Sequence, residues 1–181
     1  MSVDRLPYRA SVGAAAYEGL RLPVAMLLDN VRSMYNVGSM FRTMDGAGAE
    51  RLILCGITAR PPMRAISKTA LGAEDAVKWE HAGDAPAAVD ALRAAGYEIA
   101  AIETAPAAVD LFDWRPRFPV CLLFGHEVDG LGREMMERCD TAVRIPMLGR
   151  KHSLNVATAG GIVVYELLRK YRRMREEGIS R

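Results

Sequence analysis

Three cysteines, Cys55, Cys121 and Cys139, are all that the 181 residues carry. Their odd number and wide spacing exclude a disulfide framework. None stands at metal-ligand spacing from His81, His126 or His152, so no structural zinc is expected. No apolar run approaches the ~18 residues that a membrane helix needs. The opening MSVDRLPYRA has no apolar stretch behind a basic start, which excludes a secretory signal there. A dominant charge is missing too: Lys+Arg 24 against Asp+Glu 22 is too even to indicate nucleic acid by itself. Phosphate cradles are likewise absent. Gly46-Ala47-Gly48 closes a helical pattern and precedes a strand, the reverse of a dinucleotide-binding turn. There is no Walker sequence and no GxSxG elbow. These absences lead to the expectation of a soluble, cytoplasmic protein without metal.

Half of the residues are apolar, enough for one domain with a substantial core. Residues 1–22 show no clean periodicity and read as an N-terminal arm packed on the body or on a partner subunit. Residues 23–181 read as a single domain. Apolar strands are expected at Val24–Leu28, Arg51–Cys55, residues 97–102, Val120–Phe124 and residues 142–146, with a short one at Val77–Glu80. Helices are expected from Asn36, from a cap at Asp84 to Gly96, over about Arg133–Arg138, and from near Ser153 to the end. Residues 57–75 read as a loop. The alternation argues for an α/β fold, a parallel sheet with helices on both faces. In such sheets ligands bind beyond the carboxyl ends of the strands.

The segment Asn36–Thr43, NVGSMFRT, organises the rest. Val37, Met40, Phe41 and Met44 make one buried helical face. Asn36 stands where a side-chain oxygen caps a helix. Gly38 and Arg42 share another face, which leaves room for a flat or charged group over the glycine. A plain Arg42–Asp45 ion pair is the simpler reading of the same residues. At later strand ends, Phe124–Leu131 puts two glycines and Glu127 where a buried strand surfaces, and Ile145–Gly149 ends the next strand. Ser153-Leu154-Asn155 offers polar side chains and free amides at the last helix. Gly160-Gly161 inside that helix costs about 1 kcal/mol per glycine, so something packs very closely there.

In this order, NVGSMFRT with DGAGAERLILCG, then KTALGAE, LLFGHEVDGL and IPMLGRKHSLNVATAGGIVVYE, the chain closely resembles the SPOUT superfamily of knotted RNA methyltransferases. The match is to its TrmH/SpoU branch, which methylates ribose 2′-hydroxyls, and covers about Val24 to Tyr171. The resemblance implies a C-terminal trefoil knot, S-adenosylmethionine as methyl donor, and a homodimer whose active site draws on both subunits. It implies catalytic roles for Asn36, Arg42, Glu127, Ser153 and Asn155. It places the donor against Ile102, Glu103, Gly125, Ile145, Met147 and Leu154. His126 and Val128 depart from the usual pattern beside the acid. With the basic residues Arg60, Arg64 and Lys68 in one loop, and Arg150 and Lys151 beside the last motif, the expected partner is transfer or ribosomal RNA. Competing readings are a non-catalytic RNA-binding knot protein, a base-modifying methyltransferase of the same fold, and a small-molecule enzyme on an ordinary doubly wound sheet.

Overall fold

The computed structural model describes residues 20–178; the expected arm lies outside them except for its last three residues. The elements are β1 Leu22–Asp29, α1 Met34–Gly46, β2 Ala49–Cys55, α2 Arg64–Ala70, α3 Ala73–Ala76, β3 Lys78–Ala82, α4 Ala85–Ala94, β4 Glu98–Ile102, β5 Val109–Asp110, β6 Val120–Phe124, α5 Arg133–Glu137, β7 Thr141–Arg144 and α6 Val156–Glu176. Seven strands form one sheet in the order β3-β2-β1-β6-β4-β7-β5. Every pairing in it is parallel. The parallel sheet read from the sequence is present.

Alternation along the strands divides the core between the two faces. Met26 and Leu28 of β1 pack with Met40, Phe41, Val163 and Leu167 of α1 and α6. Ala25 and Leu27 face the other way, toward Val89, Leu92 and Met135 of α4 and α5. Asp84 caps α4 by accepting from the Ala87 amide at 2.9 Å, and Gly96 leaves the helix at φ +91°. Both ends of that helix stand where the sequence put them.

Four local expectations are corrected. Ser33, not Asn36, caps α1, its hydroxyl accepting from the Asn36 amide at 3.3 Å. Helix α6 begins at Val156 rather than near Ser153, and Asn155 caps it, accepting from the amides of Ala157 and Thr158 at 3.0 and 3.2 Å. Residues 57–75 are not all loop: α2 and α3 lie there, separated by Leu71 and Gly72 in left-handed conformation. The fourth concerns Gly38, which does not lie on a free face. A Cβ there would stand 2.1 Å from Thr69 Oγ1 and 2.3 Å from the Ile66 carbonyl oxygen. The space over Gly38 is occupied by α2 itself. The close packing expected at the helix glycines holds at Gly160, where a Cβ would meet Met40 Sδ at 2.6 Å, whereas Gly161 has only Thr43 Oγ1 at 4.0 Å.

The connection from β5 to β6 is tied down at both ends. Trp114 Nε1 donates to the buried Glu98 carboxylate at 3.1 Å, and the Arg117 amide donates to its other oxygen. Lys170 of α6 donates to the carbonyls of Leu111 (2.7 Å) and Trp114, and the Phe118 and Tyr171 rings meet at 4.9 Å. The last helix therefore lies against a segment of chain that precedes β6 by only a few residues.

Gly38→Ala should destabilise the fold by about 1–3 kcal/mol, the usual cost of overpacking a fitted contact. The obstructing carbonyl is backbone and cannot swing away. A urea titration would show a lowered midpoint with little change in slope; an unchanged midpoint would mean that α2 is not seated as described.

Candidate active site

At the carboxyl ends of β4, β6 and β7 the sheet opens into a cleft of about 250 Å³. All six residues expected to hold the donor, Ile102, Glu103, Gly125, Ile145, Met147 and Leu154, line it. The chain turns sharply after β6 to make one wall. Gly130 donates its amide to the His126 carbonyl at 2.9 Å, and a Cβ on Gly125 would stand 2.4 Å from the Gly130 backbone. Only glycine fits that approach. Glu103 braces the turn: its carboxylate accepts from the Thr104 amide at 3.0 Å and from the Leu131 amide at 3.3 Å. Its side chain thus serves the scaffold of the cleft. Thr104, His152 and Val156 also line it, and motif reading did not single them out.

Beside the cleft runs a polar chain that joins three motifs. Glu127 accepts from the amides of Arg32 and Ser33, both at 3.0 Å, and from Asn36 Nδ2 at 3.1 Å. Asn36 Oδ1 in turn accepts from Asn155 Nδ2 at 3.1 Å. The turn carrying those amides is held from behind, since Thr58 Oγ1 donates to the Leu28 carbonyl and accepts from the Val31 amide. Desolvation, the largest single influence on Glu127, pushes its carboxyl up. The Arg32 and Ser33 amides, with Asn36, together outweigh it and hold the group below the ordinary value.

The five residues given catalytic roles divide. Asn36, Glu127 and Asn155 are bonded together, and Ser153 lines the cleft at the strand ends. Arg42 stands apart, exposed, in a separate shallow cleft with Ser39, Thr43, Lys68, Thr69 and Tyr165. It forms no ion pair with Asp45, so that simpler reading is set aside. Arg60, Arg64 and Lys68 are exposed, the last two one turn apart on α2 rather than in a loop. Arg150 and Lys151 are exposed on the segment between β7 and α6.

A seven-stranded parallel sheet with its cleft at three adjacent carboxyl ends, bordered by motifs from α1, β6 and α6, defines the class: an α/β protein built around a ligand cleft. The SpoU rRNA Methylase family model matches residues 23–165, and the chain belongs to that family. Among relatives, it is 36% identical over 149 residues to the 23S rRNA (guanosine-2′-O-)-methyltransferase RlmB of Burkholderia sp, covering 82% of this chain and 60% of that protein. Among solved structures, it resembles the AdoMet-bound rRNA methyltransferase of Sinorhizobium meliloti with TM-score 0.76 and 34% identity, covering 81% of this chain and 56% of the other. It resembles the SpoU methyltransferase AviRb of Streptomyces viridochromogenes, in complex with AdoMet, with TM-score 0.73 and 30% identity, over 87% and 61% of the two chains. The chain spans about three fifths of the length of the curated relatives it matches.

The hydrogen bonds to Glu127 carry a pH signature. Its folded-state pKa is depressed below 4.5, so the group's stabilisation is full above about pH 4.5 and is lost as pH falls through the folded value. Unfolding midpoints of the parent and Glu127→Gln should therefore differ at neutral pH and converge in acid. A difference constant down to pH 3 would contradict the assignment.

Proposed function

We propose that this chain transfers the methyl group of S-adenosylmethionine to a ribose 2′-hydroxyl of ribosomal or transfer RNA, as a cytoplasmic homodimer. The observation that carries this reading is the junction of the donor cleft with the Glu127–Asn36–Asn155 chain. The cleft suits the donor: Ile102, Ile145, Met147 and Leu154 offer apolar walls, while Thr104 and Ser153 offer hydroxyls. The donor, when bound, supplies a sulfonium-activated methyl group. The chain's own task is to orient the hydroxyl and stabilise the charge it develops as its proton leaves.

Arg42 suits that second task, since a guanidinium beside a developing alkoxide stabilises it electrostatically. An arginine remains protonated in proteins, which favours positioning over proton abstraction. Within one chain Arg42 lines a different cleft from the donor residues. A twofold dimer built on the α1–α6 face would bring it to the partner's cleft. Exposed Tyr165 (51%), Ile162 (37%) and the fully exposed Leu148 support such a contact. The trefoil knot belongs to the same proposal. It is supported by the contacts of Lys170 and Tyr171 with the β5–β6 connection, the segment under which a knotted last helix has to pass.

The test is single-turnover transfer of labelled methyl to transcripts of 23S rRNA and transfer RNA. Arg42→Ala should lower the rate by about 10²–10³ or more while leaving donor affinity unchanged by calorimetry. Arg42→Lys should not restore it, because an ammonium lacks the planar two-point contact. If Arg42 works across the interface, Arg42→Ala mixed with Glu127→Ala should recover about a quarter of parental activity, from mixed dimers holding one intact site of two. No recovery would overturn the shared site, and near-normal transfer by Arg42→Ala would overturn its catalytic role.

The exposed bases are proposed to reach RNA phosphates. Arg64→Ala and Lys151→Ala should each weaken RNA binding across sequences and flatten its salt dependence, as lost phosphate contacts do. Filter binding over a salt series reads both quantities; an unchanged slope in both variants would place the RNA elsewhere.

A further inference from the structure

His126 stands between two openings. It lines the donor cleft, and it also lines a shallower groove formed with Arg32, Ser33, Asn36, Glu127 and Val128. From its surroundings, and resting on the methyltransferase reading above, we propose that this groove receives the acceptor nucleoside. His126 is the positioning residue in it, donating from Nε2–H to a ribose or base oxygen.

The two ring nitrogens have different surroundings. Nδ1 lies 3.3 Å from the Val128 amide and 3.2 Å from the Asp129 amide, both of which donate to it. It also lies 2.9 Å from Asp129 Oδ2. These partners make opposite demands, because the carboxylate attracts a proton on Nδ1 and the amides require a lone pair there. The amides are fixed in the turn that Gly130 closes back on the His126 carbonyl. The Asp129 side chain is 80% exposed and can turn away into water, which the backbone amides cannot do. The amides decide the tautomer: Nδ1 accepts, and the neutral ring carries its proton on Nε2.

That Nε2–H makes no hydrogen bond among the described residues. The one buried side-chain nitrogen or oxygen without a partner among them is Arg138 Nε, so Nε2 of His126 is reachable by solvent or a ligand. The ring itself is only 17% exposed, held in place with one polar atom presented. The carboxylate and amide side chains of the groove are already committed. Glu127 spends both oxygens on Arg32, Ser33 and Asn36, and Asn36 spends its own on Glu127 and Asn155. The Glu127 charge and the Arg32 guanidinium, which also lines the groove, offset one another, so a neutral ribose or base oxygen meets no net repulsion there. His126 is therefore a free donor on a ring held in place, set beside both the donor cleft and the polar chain.

The test separates this role from simple support of the turn. Asn at the position keeps both functions, since its Oδ1 can accept from amides two and three residues on while Nδ2 donates outward. Ser keeps the turn acceptor but is too short to reach the groove. His126→Asn should hold single-turnover kcat/KM for 23S rRNA or transfer RNA transcripts within about threefold of the parent. His126→Ser should lose about tenfold, the worth of one hydrogen bond to substrate, with unchanged S-adenosylmethionine affinity by calorimetry. Equal activity of the Ser and Asn variants would overturn the positioning role and leave a turn support. Nitrogen-15 NMR of the parent's imidazoles reads the tautomer without any reaction, with His126→Asn assigning the signal among the three histidines. An Nε2–H signal supports the proposal and an Nδ1–H signal overturns it. A parent that transfers no methyl to either RNA overturns the reading beneath the proposal, whereas the Ser–Asn comparison bears on His126 alone.

Discussion

The Glu127 carboxylate is the fastening on which the site depends. It joins the end of β6 to the turn before α1, 94 and 95 residues earlier in the chain, through amides that would otherwise be left open at a helix start. Bonds of this kind, an ionised acceptor and backbone donors, are about twice as strong as neutral ones. The positive end of the helix dipole adds to them. Because the acid holds the backbone of Arg32 and Ser33, it sets where α1 begins and where Asn36 points. Asn36 then sets Asn155, and Asn155 caps α6. Three elements that meet nowhere in sequence are registered through one side chain.

The cleft at the strand ends was legible from the sequence because its determinants are local. Buried strands announce themselves by continuous apolar runs, and Gly125 and Pro146 mark where those runs surface. The cap of α1 was misplaced for a different reason. Asn36 is an acceptable capping residue, and the choice of Ser33 goes with the hold of Glu127 on its backbone, which no local rule contains. Gly38 misled in a third way: periodicity places a residue on a face of its own helix but does not report what that face meets. Here it meets α2, whose existence was hidden by a short, weakly patterned segment ended by left-handed Leu71 and Gly72. The separation of Arg42 from Asn36, by contrast, follows from their spacing, since six residues of one helix set two side chains on different faces.

The two faces of the sheet do unequal work. On the α4–α5 side the packing is apolar and generic, with Val89, Leu92 and Met135 filling space over Ala25 and Leu27. On the α1–α6 side the same burial is combined with close approach at Gly38 and Gly160, the Lys170 and Glu98 anchors, and every residue of the polar chain. Substitution should be felt differently on the two sides. Volume matters on the first; register matters on the second.

Helix α1 contributes to two clefts at once, with Asn36 at one and Arg42 at the other, and Gly38 between them seated against α2. Six residues of helix set those groups about 9 Å apart along the axis. The helix therefore acts as a gauge. One residue inserted between Gly38 and Arg42 would swing the guanidinium by about 100° about the axis, away from Lys68 and Tyr165, while leaving Asn36 and the glycine contact in place. Point changes in this stretch alter chemistry at one position, but a change of length would uncouple the two clefts. The interval from Asn36 to Arg42 is thus as much a part of the site as either side chain.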